Sequence, residues 1–151
     1  MRILKIILFA ILGIIALLLV IALFVKKEYA VERQITINEP KTEVFDYVKF
    51  LRNQDNFSKW ATMDPAMKKD FRGTDGEVGF VSAWDSEKDD VGKGEQEITK
   101  IEEGSRIDFE IRFIKPFEAT DNAYMVTESV AESVTKVKWG FDGKMKYPMN
   151  L

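Results

Sequence analysis

The chain has 151 residues, of which 46% are hydrophobic and 12% aromatic, and its formal net charge is −3. This length allows one compact domain and one additional element. The chain contains no cysteine and no histidine, which excludes disulfide bonds, zinc sites built on thiolates or imidazoles, and serine–histidine or thiol catalysis. Because basic and acidic residues are interspersed and no basic stripe is present, a nucleic acid is not expected as a partner.

The N-terminal segment, residues 1–27, is predicted to be a transmembrane anchor. Residues 6–25 contain no charged residue and no proline, and a helix of that length, at about 1.5 Å per residue, spans the roughly 30 Å hydrocarbon core of a bilayer. A cleaved signal peptide is the competing interpretation, since Arg2 and Lys5 resemble its positive start. The apolar run is longer than a signal peptide needs, so we expect a single-pass membrane protein. Basic residues on both sides of the run leave the side of the soluble domain open.

The remaining residues, 28–151, are predicted to form one domain that begins with a strand and two short helices. The stretch "EYAVERQITI" alternates apolar and polar residues, as a half-buried strand does. A helix follows, with Asn38 predicted as its N-cap and Pro40 in its first turn. Residues 52–67 are short and broken, and they predict a second small helix and a loop.

About six antiparallel strands are predicted after these helices. The clearest is "RIDFEIRFI", which alternates large apolar residues with charged ones. Asp75 and Gly76 predict a hairpin turn between the first two of these strands. Such a sheet has one apolar face, and two short helices cannot cover all of it. The expected fold class is therefore α+β, an antiparallel sheet with two short helices, preceded by the transmembrane helix.

Six segments carry a resemblance to a known family: "EYAVERQITINEPKTEVFDYV", "NFSKWATMDPAMK", "VGFVSAW", "VGKGEQEITKI", "RFIKPFEA" and "TKVKWGFDGKMKYPMNL". In these segments, and over nearly all of residues 28–151, the chain resembles the START-like superfamily, also called SRPBCC. The similarity is closest to its membrane-anchored bacterial members described as polyketide cyclase/dehydrase. The resemblance implies a helix-grip (START/Bet v 1-like) fold. In this fold a curved antiparallel sheet wraps around a long C-terminal helix, and the space between them is a cavity for an apolar ligand. That helix would begin at "YPMNL", so the domain is expected to be truncated at its C-terminus, with the C-terminal helix missing.

Candidates for the lining of a ligand cavity are aromatic residues at strand spacing and polar residues that interrupt apolar faces. Gln96 is in phase with Ile98, and Ser82 lies between two aromatic residues. Asn122 is close to Tyr124 in the sequence. Ligand pockets are mostly apolar with a few placed polar groups, whereas ordinary core, the competing interpretation, favours apolar faces. The predicted cavity residues are Phe80, Ser82, Trp84, Gln96, Ile98, Phe109, Phe113, Asn122, Tyr124, Trp139 and Phe141. Trp60 is a further aromatic candidate for the lining.

No metal, cofactor or catalytic residue is predicted. The acidic run "DSEKDDVGKGE" has Asp90 where a calcium loop of the EF-hand type requires glycine. Glu95 and Glu97 share one strand face, but that face is opposite Ile98 and is expected to be in water.

The leading functional hypothesis is non-catalytic binding of a lipid or another small hydrophobic ligand, with the anchor holding the cavity near the membrane. Two alternatives stay open. The first is a polyketide cyclase/dehydratase-like enzyme that uses the same cavity, as the resemblance allows. The second is a non-catalytic accessory or stress-related interaction protein whose cavity is ordinary core.

Overall fold

The structure is a computed structural model that describes residues 2–151. It contains two compact units, one formed by the chain up to Tyr29 together with Gly143–Leu151, the other by Ala30–Asp142. The first unit contains α1, Arg2–Phe24. This helix is long and apolar enough to cross a membrane, and because it lies near the N-terminus a signal sequence would have the same properties.

The C-terminal end of α1 is capped within this unit by the last residues of the chain. The side-chain amide of Asn150 donates hydrogen bonds to the carbonyl oxygens of Ala22, at 2.7 Å, and Val25, at 3.0 Å. The hydroxyl of Tyr147 donates to the carbonyl oxygen of Leu19 at 3.3 Å. The last four carbonyl groups of a helix have no partner inside the helix, so the amide of Asn150 supplies a partner for Ala22, whereas Tyr147 adds a second contact to a carbonyl inside the helix.

The first strand, β1, is Glu28–Ile37, and it belongs to the second unit from Ala30 onwards; α2, Lys41–Val48, follows it. The N-cap prediction was wrong: α2 begins directly after Pro40, which has extended backbone angles, and no side chain caps it. An N-cap at Asn38 would require helical angles at Glu39, and the proline that follows Glu39 disfavours them. A 3₁₀ turn, Leu51–Asn53, and two single-turn helices follow, α3 at Gln54–Phe57 and α4 at Lys59–Thr62.

The other strands run in a meander, as predicted. They are β2 (Lys68–Arg72), β3 (Val81–Asp85), β4 (Lys93–Glu102), β5 (Arg106–Lys115), β6 (Ala119–Ala131) and β7 (Val134–Lys144). The seven strands form one sheet in the order β1-β7-β6-β5-β4-β3-β2. This arrangement confirms the predicted α+β class and places the first and second strands of the chain at opposite edges of the sheet.

One face of the sheet carries the core and the other carries charge. Buried apolar residues from α2, the 3₁₀ turn and the strands form a single cluster: Val44, Phe45, Val48, Leu51, Phe80, Ile98, Ile107, Phe109, Ala123, Met125 and Val137. On the opposite face, the guanidinium of Arg112 pairs with Glu95 at 2.7 Å, Glu97 at 2.8 Å and Glu110 at 2.5 Å. The helices therefore cover only the apolar face, and the charged face stays in water.

Asp75, predicted as a turn residue, also positions the helical segment. Its carboxylate accepts hydrogen bonds from the backbone N–H groups of Leu51, at 2.8 Å, and Arg52, at 3.2 Å. Gly76 beside it has φ +83°, an angle that glycine adopts without strain. The connection between β2 and β3 thus satisfies the unpaired donors at the start of the 3₁₀ turn, which leads directly into α3.

Candidate functional site

A cavity of about 410 Å³ lies within the second unit, between the apolar face of the sheet and the segment that contains α3 and α4. This volume is in the range of small-molecule sites, about 300–1,000 Å³. Its lining residues are Val31, Arg33, Leu51, Gln54, Asp55, Ser58, Trp60, Ala61, Met67, Lys69, Ser82, Ala83, Trp84, Gln96, Ile111, Phe113, Trp139, Gly140 and Phe141. Seven of these nineteen residues have polar or charged side chains and the others are apolar, aromatic or glycine, so the cavity is mainly apolar with several polar groups.

Aromatic rings form much of the lining, and all three tryptophans of the chain, Trp60, Trp84 and Trp139, are among them. Trp84 meets Phe113 edge to face with ring centroids 6.1 Å apart, and Phe113 meets Phe141 in the same way at 6.4 Å. These are favourable aromatic geometries. These three rings therefore pack against one another and form a continuous apolar surface.

Gly94 makes room for the ring of Trp84. The two residues are paired across β3 and β4, and a Cβ at position 94 would lie 2.6 Å from Cζ2 of Trp84 and 2.7 Å from the carbonyl oxygen of Arg112. Any side chain at this position would have to displace the indole or the backbone of β5. The indole N–H of Trp84 donates to the carbonyl oxygen of Val91 at 3.3 Å, so the polar atom of this ring is already paired.

Two glutamines bring unpaired amide groups to this apolar site. Gln54, on α3, is buried at 8% exposure, and Gln96 projects from β4. The Nε2 atom of each is buried, and it has no hydrogen-bond partner in residues 2–151. Buried side-chain polar atoms are normally hydrogen-bonded, since an unpaired one costs about 1–3 kcal/mol. Two such atoms in the lining of one cavity distinguish it from ordinary core.

Charged side chains are few in the lining. Lys69 and Asp55 pair with each other, with Nζ and Oδ1 2.5 Å apart. Arg33 is exposed, and its guanidinium donates to the backbone carbonyl of Glu32 at 3.3 Å. The net electrostatic contribution of this lining is therefore one cation, that of Arg33 on the edge strand β1.

The structure brings together seven of the residues predicted from the sequence and separates the others. Those that line the cavity are Trp60, Ser82, Trp84, Gln96, Phe113, Trp139 and Phe141. Phe80, Ile98 and Phe109 lie in the core cluster with exposures of 0–1%. Gln96 and Ile98 do share one face of β4, as predicted, but residues of α2 and the 3₁₀ turn pack in the same cluster as Ile98 and close that part of the face.

Asn122 and Tyr124 are corrections, because they lie on the opposite face of the sheet. Ala123, between them, is buried at 2% exposure. Tyr124 packs over Gly140, where a Cβ would lie 2.1 Å from its ring, and its hydroxyl donates to Glu32 at 2.6 Å. This hydrogen bond is the main cause that raises the pKa of Tyr124. An aromatic ring was expected on the apolar face of β6. The ring of Tyr124 lies on the outer face instead, where Gly140 on the neighbouring strand leaves room for it.

Sequence reasoning missed most of the residues that the helical segment and the edge strands contribute, and also three residues on inner strands, Ala83, Ile111 and Gly140. These are Val31, Arg33, Leu51, Gln54, Asp55, Ser58, Ala61, Met67, Lys69, Ala83, Ile111 and Gly140. Ile111 follows the alternation of β5 and could have been found from it. The residues on α3 and α4 carry no such signal, because single-turn helices show no periodicity.

The acidic loop after β3 is held by hydrogen bonds within the protein. The hydroxyl of Ser86 donates to Asp64 at 2.5 Å, and Lys93 pairs with Asp85 at 2.7 Å. The bond from Ser86 is the main cause that holds the pKa of Asp64 below its ordinary value. No group of three or more acidic side chains suited to a metal ion occurs in the part of the chain that the structure describes.

Comparisons with known proteins identify the fold. No protein-family model and no curated protein matches the sequence. Among solved structures, a Nitrosospira multiformis protein is 16% identical over 82% of this chain and 83% of that chain, with a TM-score of 0.59. Ara h 8.0201 is 17% identical over 80% of each chain, with a TM-score of 0.56. Norcoclaurine synthase from Thalictrum flavum, solved in complex with dopamine and hydroxybenzaldehyde, is 7% identical over 82% of this chain and 72% of that chain, with a TM-score of 0.65.

These neighbours confirm the helix-grip, START/Bet v 1-like fold that the sequence predicted. At such low identity the likeness concerns the fold alone. Activity therefore has to be argued from the cavity itself.

Proposed function

We propose that this protein binds a small hydrophobic molecule in the cavity between the sheet and the helical segment, and that α1 holds the domain at a membrane. The single observation that carries the proposal is the cavity itself, about 410 Å³ in volume and lined mainly by apolar and aromatic side chains. Burying apolar surface yields about 25 cal/mol per Å². An apolar ligand in this space would therefore gain affinity without any strong polar contact.

Two features favour a binding site over ordinary core. Cores are packed to about 0.74 of their volume, with few voids larger than a water molecule, whereas this space is far larger. The Nε2 atoms of Gln54 and Gln96 also have no hydrogen-bond partner within the described part of the chain. Such unpaired polar atoms are rare in a packed core, so they favour a binding cavity. The norcoclaurine synthase complex with dopamine and hydroxybenzaldehyde is an example of the same fold with small molecules bound. It supports the proposal for the ligand class only by analogy of fold.

The first experiment detects a ligand directly. The full chain is purified in an amphipathic polymer, which adds no tryptophan fluorescence of its own. The purified protein is extracted with organic solvent, and the extract is analysed by mass spectrometry. Titration with a brominated dodecane then tests the cavity, since bromine quenches indole fluorescence on contact and all three tryptophans line the site. We expect a co-purifying apolar molecule or saturable quenching by the bromoalkane.

Ala61→Phe, which places a ring in the cavity, is the test variant for this titration. We expect it to raise the Kd of bromododecane, obtained from the quenching curve, by about tenfold or more, equivalent to about 1.4 kcal/mol. Ala131→Phe adds the same ring at an exposed position outside the cavity and should titrate as the wild type does. No extracted ligand in repeated preparations, together with tryptophans that bromododecane does not quench, would contradict the proposal.

The membrane anchor is tested separately, by the mass of the mature chain. Because α1 also has the properties of a signal sequence, the two roles differ in whether residues 1–27 remain. We expect the membrane fraction to contain the protein with its N-terminal residues present and resistant to extraction with alkaline carbonate. A mature chain that lacks them would establish a signal sequence and overturn the anchor, while leaving the cavity proposal unaffected.

A further inference from the structure

We propose that the ligand carries a carbonyl-type oxygen, in a carboxylic acid, an ester or a ketone, and that the amides of Gln54 and Gln96 bind it. This inference rests on the proposed function and specifies the chemical class of the ligand. It starts from the one polar feature of the cavity that the protein leaves unsatisfied. Both side chains line the cavity, and Nε2 of each is buried without a partner in residues 2–151.

The two amides come from elements that face each other across the site. Gln96 projects from β4 on the floor formed by the sheet, and Gln54 from α3 in the segment above it. The last side-chain torsion of a glutamine is broad and roughly two-fold. Each amide can therefore turn its N–H groups towards an oxygen atom in the cavity without moving the backbone.

The charges of the lining residues favour a ligand that carries a hydrogen-bond acceptor over one that carries a cationic donor. The carboxylate of Asp55, the one acidic side chain among the lining residues, is paired with Lys69. Arg33 supplies a cation that is paired with no acidic side chain in the described part of the chain. A ligand amine or ammonium would find no free anion here, whereas a carbonyl or carboxylate oxygen would meet amide donors and a favourable charge.

The magnitude follows from the hydrogen bonds themselves. A hydrogen bond from one of these amides to a ligand oxygen replaces bonds to water, and its net contribution is about 0.5–1.5 kcal/mol. Each amide is therefore expected to contribute about 3- to 10-fold to the affinity for a carbonyl-containing ligand. For a pure alkane the same amides contribute nothing.

The test measures how replacing the two amides changes the affinity for matched probes. Bromododecane, brominated dodecanoic acid and its methyl ester are titrated into the full chain, with tryptophan quenching as the readout. We expect the double variant Gln54→Leu/Gln96→Leu to weaken binding of the acid, the ester or both by about 10-fold or more. Binding of bromododecane should stay unchanged or tighten. Comparing variant with wild type for each probe removes differences in the solubility of the probes.

Gln34→Leu, at the remaining glutamine of the chain, is the matched control, since Gln34 is exposed and outside the cavity. Gln54→Met and Gln96→Met are a second pair of variants that keep the side-chain length. If the double variant loses affinity for the acid alone, the bound oxygen belongs to a carboxylate. If it loses affinity for the ester, the bound oxygen belongs to a neutral carbonyl group. Unchanged affinity for both would overturn this inference while bromododecane still binds. Quenching by none of the probes would overturn the proposed function as well.

Discussion

Replacing Gln54 by leucine is expected to stabilise the empty domain. Gln54 is 8% exposed, and its Nε2 atom is buried without a hydrogen-bond partner in residues 2–151. In the unfolded chain that N–H group is hydrated, so folding loses its hydrogen bonds with water at a cost of about 1–3 kcal/mol. Leucine has a similar size and helix propensity and no polar atom to desolvate. We expect the free energy of unfolding to rise by about 1–2 kcal/mol.

Urea denaturation of the full chain measures this change. With a slope of about 1–3 kcal/mol per M urea, the midpoint should rise by roughly 0.3–2 M. Tryptophan emission reports on the cavity and far-ultraviolet circular dichroism on the whole fold. Agreement between the two transitions is required before a single free energy is assigned.

The exposed Gln34 provides the reference for this prediction. Gln34→Leu removes the same amide from a solvated position on β1, and surface changes of this kind stay within about 0.5 kcal/mol. A Gln54→Leu variant that is destabilised, or that matches Gln34→Leu, would refute the reasoning, because it would mean that the buried amide is satisfied after all. The stabilised variant is also the one expected to lose affinity for carbonyl ligands. Such an exchange of stability against binding is typical of functional positions.

Two further predictions concern the core and the charged face. Phe45→Ala removes a ring that is 1% exposed in the core under α2, and it should lower the free energy of unfolding by about 3–5 kcal/mol. Phe117 is 72% exposed, so Phe117→Ala should change the free energy of unfolding by less than about 0.5 kcal/mol. Burial acts to raise the pKa of Glu95, but hydrogen bonds from Arg112 and Arg72 outweigh it and hold the pKa below the ordinary value of 4.5. A lowered pKa in the folded state contributes stability that is complete above the unfolded pKa and is lost as the pH falls through the folded one. The urea midpoint should therefore decrease as the pH is lowered below about 5, and Glu95→Gln should make that decrease smaller. An unchanged pH profile in Glu95→Gln would show that the ion pairs of this face carry no such stability.

The overall architecture followed from local patterns. Alternation in "RIDFEIRFI" and "EYAVERQITI" identified strands, and the apolar run of residues 6–25 identified the long helix Arg2–Phe24. These features could be read because side-chain periodicity and segment length are properties of the chain alone. The same alternation placed Gln96, Trp84 and Trp139 on the face that carries the cavity.

The boundary between core and cavity could not be read in this way, since it depends on which part of the apolar face the helices cover. Ile98 and Gln96 are equivalent in phase, yet Ile98 packs with residues of α2 while Gln96 lines the open space. Tyr124 lies on the outer face because Gly140 leaves room for its ring on the neighbouring strand. Such a choice is made by a cross-strand neighbour and not by the local sequence.

Gln54 shows the limit of the sequence most clearly. Its segment is a 3₁₀ turn followed by helices of one turn each, too short to carry a periodic signal. What orients the segment is the carboxylate of Asp75, which binds the N–H groups of Leu51 and Arg52 from a turn more than twenty residues further along the chain. The sequence by itself determined the helix, the strands and the apolar face. The tertiary structure alone decided which side chains line the cavity, because long-range contacts position the elements that form its walls.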